Sequence, residues 1–305
     1  IGSPLLLWIG NRDARIDSYR EIRLPRPGHA DFAGAMKYET SDVADVMERA
    51  SARETAARVA AGAVASQLLS AAGIDVFAHV VAIGRVAFSA GNDLSSEKRR
   101  SVRDASPFYG LDAEADARAA AEVDGARASG DSVGGAFRIE ARGAPPGLGS
   151  CEQWDRRLDA HLAGAVMSIP AVRAVAIGDG FDASEVLGTR FHDGFARGND
   201  GALTRASNRA GGVEGGMTNG EPVVVHAVMK PIPSVTASLP SVDLPTGEPA
   251  PAAYERSDVC AVPAASVVGE AMVALTLADA LLEAIGDVPW ARFRSSVEAL
   301  RDRRR

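Results

Sequence analysis

The run Asn208-Arg-Ala-Gly-Gly-Val-Glu-Gly-Gly-Met-Thr-Asn-Gly220 holds five glycines in thirteen residues. Glycine takes positive φ without steric cost and lets a backbone pass close to a ligand. A loop built this way can turn its N–H groups toward an anion. Alone such a loop is a weak sign, because most are plain turns. Its flanks give it a place. Val223 to Met229 reads as a strand, and it runs straight into Lys230-Pro-Ile-Pro-Ser234. A glycine loop, a strand and a basic Pro-rich exit form one unit.

Outward from that unit, strands and helices are mixed without strict alternation. Leu5-Leu-Leu-Trp-Ile9, within residues 1–10, reads as a buried strand. Val46 to Ala72 reads as one helix, with Gly62 and Ser66 as small residues that admit a close neighbour. Asp75 to Gly84 reads as a strand, and 87–112 as a polar surface excursion. Glu114 to Ala128 reads as a helix, and Gly135 to Arg142 alternates as a half-buried strand does. Trp154 to Ile169 reads as a helix and Ala171 to Ile177 as a strand. Residues 180–207 are loop-rich, and Pro231 to Pro251 reads as a long loop. Ala264 to Ile285 is a long apolar helix, and Arg301 to Arg305 a solvated tail. No repeat and no linker-like break divides the chain, so residues 1–305 read as a single α+β domain.

Composition narrows the chemistry. The chain has 305 residues, 46% of them hydrophobic and only 5% aromatic. A core of Ala, Val, Leu and Ile is therefore expected. A formal charge of −7 argues against generic nucleic-acid binding. An anionic substrate then needs a local group of cations. Lysine occurs only at Lys37, Lys98 and Lys230. Two cysteines, Cys151 and Cys260, make no disulfide framework and suit a cytoplasmic compartment. No apolar run reaches the ~18 residues of a membrane span. No histidine pair has metal-ligand spacing, so no metal site is expected. Neither Gly211–Gly216 nor Gly130–Gly135 has dinucleotide-fingerprint spacing, and there is no GxxxxGK[ST] loop.

Three further blocks stand out: Arg26-Pro-Gly-His-Ala-Asp31, Glu48-Arg-Ala-Ser-Ala-Arg-Glu-Thr-Ala56 and Tyr254-Glu-Arg-Ser-Asp-Val-Cys-Ala-Val-Pro263. With the glycine loop and Lys230–Ser234, their order resembles chorismate synthase of the actinobacterial type, over nearly the whole chain. The resemblance implies a β-α-β sandwich with long helices between two antiparallel sheets, assembled as a homotetramer in the cytoplasm. It implies an anti-1,4-elimination of phosphate from 5-enolpyruvylshikimate 3-phosphate, giving chorismate, with reduced FMN as cofactor. NADPH is a candidate reductant for the flavin. It implies His29 as a flavin-side acid, and Asp258 in the relay that removes the ring hydrogen through flavin N5. Flavin contacts fall on Arg49, Ala50, Ser51, Pro170, Ala171, Gly215, Lys230, Pro231, Ile232, Pro233, Ser234 and Arg256. Substrate contacts fall on Arg53 and Asn219.

Each position also has a plainer role. Ser51 with Glu54 at i+3 is a helix capping box. Pro170 is a helix stop, Asn208 and Asn219 cap turns, and Arg256 with Asp258 is a surface pair. His79, His161, His192 and His226 read as structural. Against the family pattern, Ala50, Val259, Ala264 and Gly194 stand where Ser, Pro, Arg and Glu are usual. The family's Glu-Ser-His-Gly block and the arginine-rich segment after it precede the position matched by Ile1. The chain is therefore expected to be N-terminally incomplete. The alternative is a non-catalytic truncated paralogue that binds flavin or joins an oligomer.

Overall fold

A computed structural model describes residues 2–11, 20–91, 94–198, 201 and 203–302. Three helices come first: α1 (Asp31–Tyr38), α2 (Ala44–Arg49) and α3 (Thr55–Ala71). Then follow β1 (Asp75–Ile83), β2 (Val86–Ala87), α4 (Ser96–Ala105), α5 (Ala113–Ala128) and β3 (Gly135–Arg142). Next are α6 (Leu158–Met167), β4 (Val172–Ile177), α7 (Gly188–Phe191), and the hairpins β5 (Phe195–Arg197)/β6 (Leu203–Arg205) and β7 (Val213–Glu214)/β8 (Met217–Thr218). The chain closes with β9 (Val223–Met229), the hairpin β10 (Pro240–Val242)/β11 (Pro249–Pro251), α8 (Val262–Ile285) and α9 (Trp290–Arg301).

The main sheet is antiparallel, with strand order β2-β1-β3-β9-β4. Its two faces differ in chemistry, as the strand period of two requires. Val80, Phe137, Ile139, Val225 and Ala227 join α8 and α3 in one apolar core. A methyl group on Gly269 of α8 would lie 2.6 Å from the Phe137 ring, and one on Gly62 of α3 would lie 2.4 Å from Ala271 Cβ. Small residues thus let α3, α8 and the sheet stack closely, as the Gly62 reading expects. The opposite face carries His79, Arg138 and His226 in register across three strands. His79 is fully buried and stacks on Phe77, and neither ring nitrogen has a hydrogen-bond partner among the described residues. Burial, with the Arg99 charge nearby, pushes its pKa down to about 3.

Several expectations are corrected. Leu5 to Ile9 joins no ladder, and Trp8 is 84% exposed. An apolar run marks a candidate strand, but only a paired neighbour makes one. The helix expected over Val46–Ala72 is broken. Ser51 is extended (φ −62°, ψ 138°) and starts a 3-10 turn, while Glu54 pairs with Arg58 instead of closing a capping box. The helix expected over Trp154–Ile169 likewise splits at the extended Arg157 into a 3-10 turn and α6. The excursion 87–112 contains α4, and Arg99 within it is 2% exposed. Glu140 of β3 neutralises that arginine through two bonds of 2.8 and 2.9 Å, so a charged helix lies against the sheet. The long loop Pro231–Pro251 includes the hairpin β10/β11, whose prolines are tolerated because both strands are edges.

Two more corrections concern the C-terminal half. Helix α8 is long and apolar enough to cross a membrane by length and composition, contrary to the run-length reading, and 61% of that window is buried inside the protein. Arg301 is not a free tail: α9 carries it to the carbonyls of Ala72 and Gly143, the latter at 2.9 Å. Arg303 to Arg305 lie outside the described residues.

Candidate active site

Pro27 and Gly28 form the turn that presents His29. The Arg26 carbonyl accepts from His29 N at 3.2 Å, and Gly28 holds φ +80°. Those features define a type II turn, which favours proline then glycine. Behind it, Arg26 reaches Asp31 Oδ2 through Nε at 2.9 Å and the Ser234 hydroxyl through one terminal nitrogen at 2.8 Å. His29 Nδ1 touches Asp31 Oδ1 closely. Burial raises the Asp31 carboxyl, but bonds from His29 and Arg26 outweigh it and hold the group well below the usual carboxylate range.

Blocks some two hundred positions apart therefore meet. Lys230 donates from Nζ to the Gly28 carbonyl, and its backbone N–H donates to the Ala171 carbonyl at 3.0 Å. Burial, aided by the Arg173 charge, lowers the Lys230 pKa from the ordinary lysine value. The Ser132 hydroxyl donates to the Ile232 carbonyl at 2.6 Å and the Ser257 hydroxyl to the Ser234 carbonyl at 3.1 Å. Residues 254–260 are thus pinned beside 230–234. Pro231 is exposed, while Ile232 and Pro233 are half-buried. Arg256 and Asp258 are exposed and make no side-chain hydrogen bond or ion pair among the described residues. The plainer alternative, an Arg256–Asp258 surface pair, is not formed among the described residues.

The 48–56 block joins the same region through Arg58, which donates to the Ser168 hydroxyl at 2.7 Å just ahead of Pro170 and Ala171. Arg49 is exposed, and among the described residues it has no ion pair. Ala50 caps α2. Arg53 pairs with Glu48 at 2.7 Å, and its Nε donates to Ser51 Oγ at 3.1 Å.

The glycine loop lies elsewhere. It joins the Val223 end of β9, whereas Lys230 follows the Met229 end, about 20 Å away at the rise of seven strand residues. Gly211, Gly212 and Gly216 abut the backbone of Gly178, Pro222 and Ser150, so packing explains them. Gly215 differs: it is exposed, at φ +59°, with open space where a side chain would stand. Asn219 is committed within the loop, donating to Glu214 at 3.0 Å and accepting from Glu221 N at 2.9 Å. The turn-capping role is the one its geometry fits. Asp193 accepts from the N–H groups of Arg209 and Ala210 at 2.8 and 2.9 Å and braces the loop. Sequence reading missed Arg26, Asp31 and Asp193. The first two lay in a quoted block, and their charge pattern was the available signal.

The chorismate synthase family profile matches residues 1–282. Chorismate synthase of Geobacter sulfurreducens is 48% identical over 317 residues, covering 98% of this chain and 80% of that protein. Chorismate synthase of Acidothermus cellulolyticus is 52% identical over 279 residues, covering 91% of this chain and 71% of that protein. A crystal structure of chorismate synthase superposes with a TM-score of 0.76 at 38% identity, over 90% of this chain and 76% of that one. The chain belongs to the chorismate synthase family of lyases.

Proposed function

We propose that this chain, as one chorismate-synthase-like domain, eliminates phosphate from 5-enolpyruvylshikimate 3-phosphate in the anti-1,4 sense to give chorismate, with reduced FMN as cofactor. The observation that carries the reading is the meeting of Arg26–Asp31 with Lys230–Ser234 through two side-chain bonds. The donor set suits a flavin phosphate and an anionic substrate. Arg49, Lys230 and Arg256 lack a carboxylate partner among the described residues, in a chain of formal charge −7. Cations without internal partners favour bound phosphate.

Arg49, Ser51, Lys230 and Arg256 would hold the flavin, with the backbone of Ala50, Pro170, Ala171 and Pro231–Pro233 along it. Arg53, held by Glu48 and Ser51, would face the substrate. Bound reduced FMN supplies electron density that stabilises the electron-poor ring as phosphate departs. As the doubly protonated ring, His29 would give up a proton from Nε2, the ring nitrogen its neighbours leave free. Asp258, an exposed carboxylate, receives the ring proton. Assembly as a homotetramer, work in the cytoplasm with both cysteines as free thiols, and NADPH as the flavin's reductant belong to the same reading.

The test is anaerobic phosphate release with chemically reduced FMN. Phosphate and chorismate should appear in equal amounts, and His29→Ala and Asp258→Asn should each slow turnover by about 10²–10⁴-fold with FMN still bound. Folded protein that releases no phosphate would overturn the reading. Near-normal turnover in either variant would remove that residue from it.

A further inference from the structure

Asp31 opens α1 and has no exposure to solvent. A buried carboxylate needs compensation, and this one is fully engaged. Oδ2 accepts from Arg26 N at 3.0 Å and Arg26 Nε at 2.9 Å. Oδ1 accepts from Arg26 Nη2 at 3.2 Å and faces His29 Nδ1 closely. Arg26 Nη2 also lies 2.9 Å from His29 Nδ1. The proton on His29 can be placed from these contacts. A bare Nδ1 would set its lone pair against a carboxylate oxygen at the shortest contact in the cluster. A proton between them removes that repulsion and makes a charge-assisted bond. That contact favours Nδ1 as the protonated nitrogen of the neutral ring, with one of the two Nη2 protons donated to Asp31 Oδ1. Nε2 bonds no other described residue.

We propose that Asp31 is a positioning residue for the elimination: it fixes His29 in the Nδ1–H tautomer, aims Nε2 at the reacting groups, and stabilises the ring when it is protonated. Arg26 clamps the carboxylate with three of its donors, so Asp31 cannot swing away. Its remaining bond, to the Ser234 hydroxyl, ties the dyad to the 230–234 segment. A buried carboxylate that orients an imidazole is a recurrent device in acid–base catalysis. The inference rests on the reading of His29 as an acid, and it adds which nitrogen works and what holds the ring.

The test is side-chain nitrogen-15 NMR of the histidine-labelled 305-residue chain. There are five histidines, and His29 is assigned by its loss in His29→Gln. At alkaline pH the wild type should show His29 as the Nδ1–H tautomer. In Asp31→Asn the new amide can donate to Nδ1, so the Nε2–H tautomer should appear, and phosphate release should fall about tenfold or more. An Nε2–H ring in the wild type would overturn the proposal, as would a variant with unchanged tautomer or unchanged turnover. If Asp31→Asn does not fold, the wild-type spectrum alone decides. Full turnover by His29→Gln would instead overturn the acid reading beneath it. The two failures are thereby distinct.

Discussion

Ala171 holds φ at +67°, a left-handed conformation in a residue that carries a Cβ. Its carbonyl accepts from Lys230 N at 3.0 Å, so the strained residue fixes where the 230–234 segment begins. The left-handed region costs a non-glycine residue roughly 1–2 kcal/mol. Ala171→Gly should remove that strain, less the roughly 0.4–1 kcal/mol that glycine adds to the unfolded chain's entropy. A net gain of a few tenths to about 1 kcal/mol in unfolding free energy is expected, read as a higher urea midpoint at unchanged m. A loss of stability would show that the Ala171 methyl packs usefully and that strain is not dominant. At this scale the sequence was informative where a residue's role is local. Pro27-Gly28 announced the turn that carries His29. It was silent where a role depends on distant partners. Nothing in Arg26 or Asp31 alone reveals that a serine at position 234 closes their network.

Beyond the two residues of β2, the outer edge of β1 is closed by side chains and one loop carbonyl. Arg100 donates to the Val76 carbonyl at 2.9 Å and Arg103 to the Ala78 carbonyl at 3.2 Å. Glu270 of α8 accepts from Ala78 N at 2.7 Å, and the Tyr109 carbonyl from Val80 N at 2.9 Å. Helix α4 thus acts as an edge guard. Such a helix looks like surface by composition, because its arginines find their acids on other elements. Strands β3 and β9 were legible residue for residue, β3 from its alternation and β9 as a short apolar run between the glycine loop and the Lys230-Pro exit. Beside α4, His79 sets a pH response. Its folded pKa is depressed from 6.5 to about 3, so between those values the unfolded chain binds a proton that the folded chain refuses. Stability should fall as pH drops from about 6.5 toward 3, by several kcal/mol at the lower end. His79→Leu removes two unsatisfied ring nitrogens and should flatten that acid limb. The same slope in wild type and variant would exclude His79 as its source.

At the scale of the whole molecule, four of the five sequence blocks gather at one end of the main sheet, and the glycine loop joins the other. The order of blocks along the chain was readable; their distances were not, because strand direction decides which end a segment occupies. A close helix neighbour at Gly62 was expected from its spacing with Ser66, and the structure shows that neighbour to be α8. Gly62→Leu should cost more than about 2 kcal/mol by overpacking against Ala271, measurable as a lower melting temperature. An unchanged melting temperature would mean the helices separate without penalty. The scarcity of lysine has a practical consequence. Of three lysines in the chain, one lies at the proposed cofactor site, with its amine held by burial nearer to the neutral form. Neutral amines are the ones that acylate. Near pH 8 an activated ester should modify Lys230 ahead of Lys37 and Lys98, and peptide mass mapping would read the order directly. Added FMN should slow that reaction selectively, turning a single side chain into an occupancy gauge that works without substrate and without turnover.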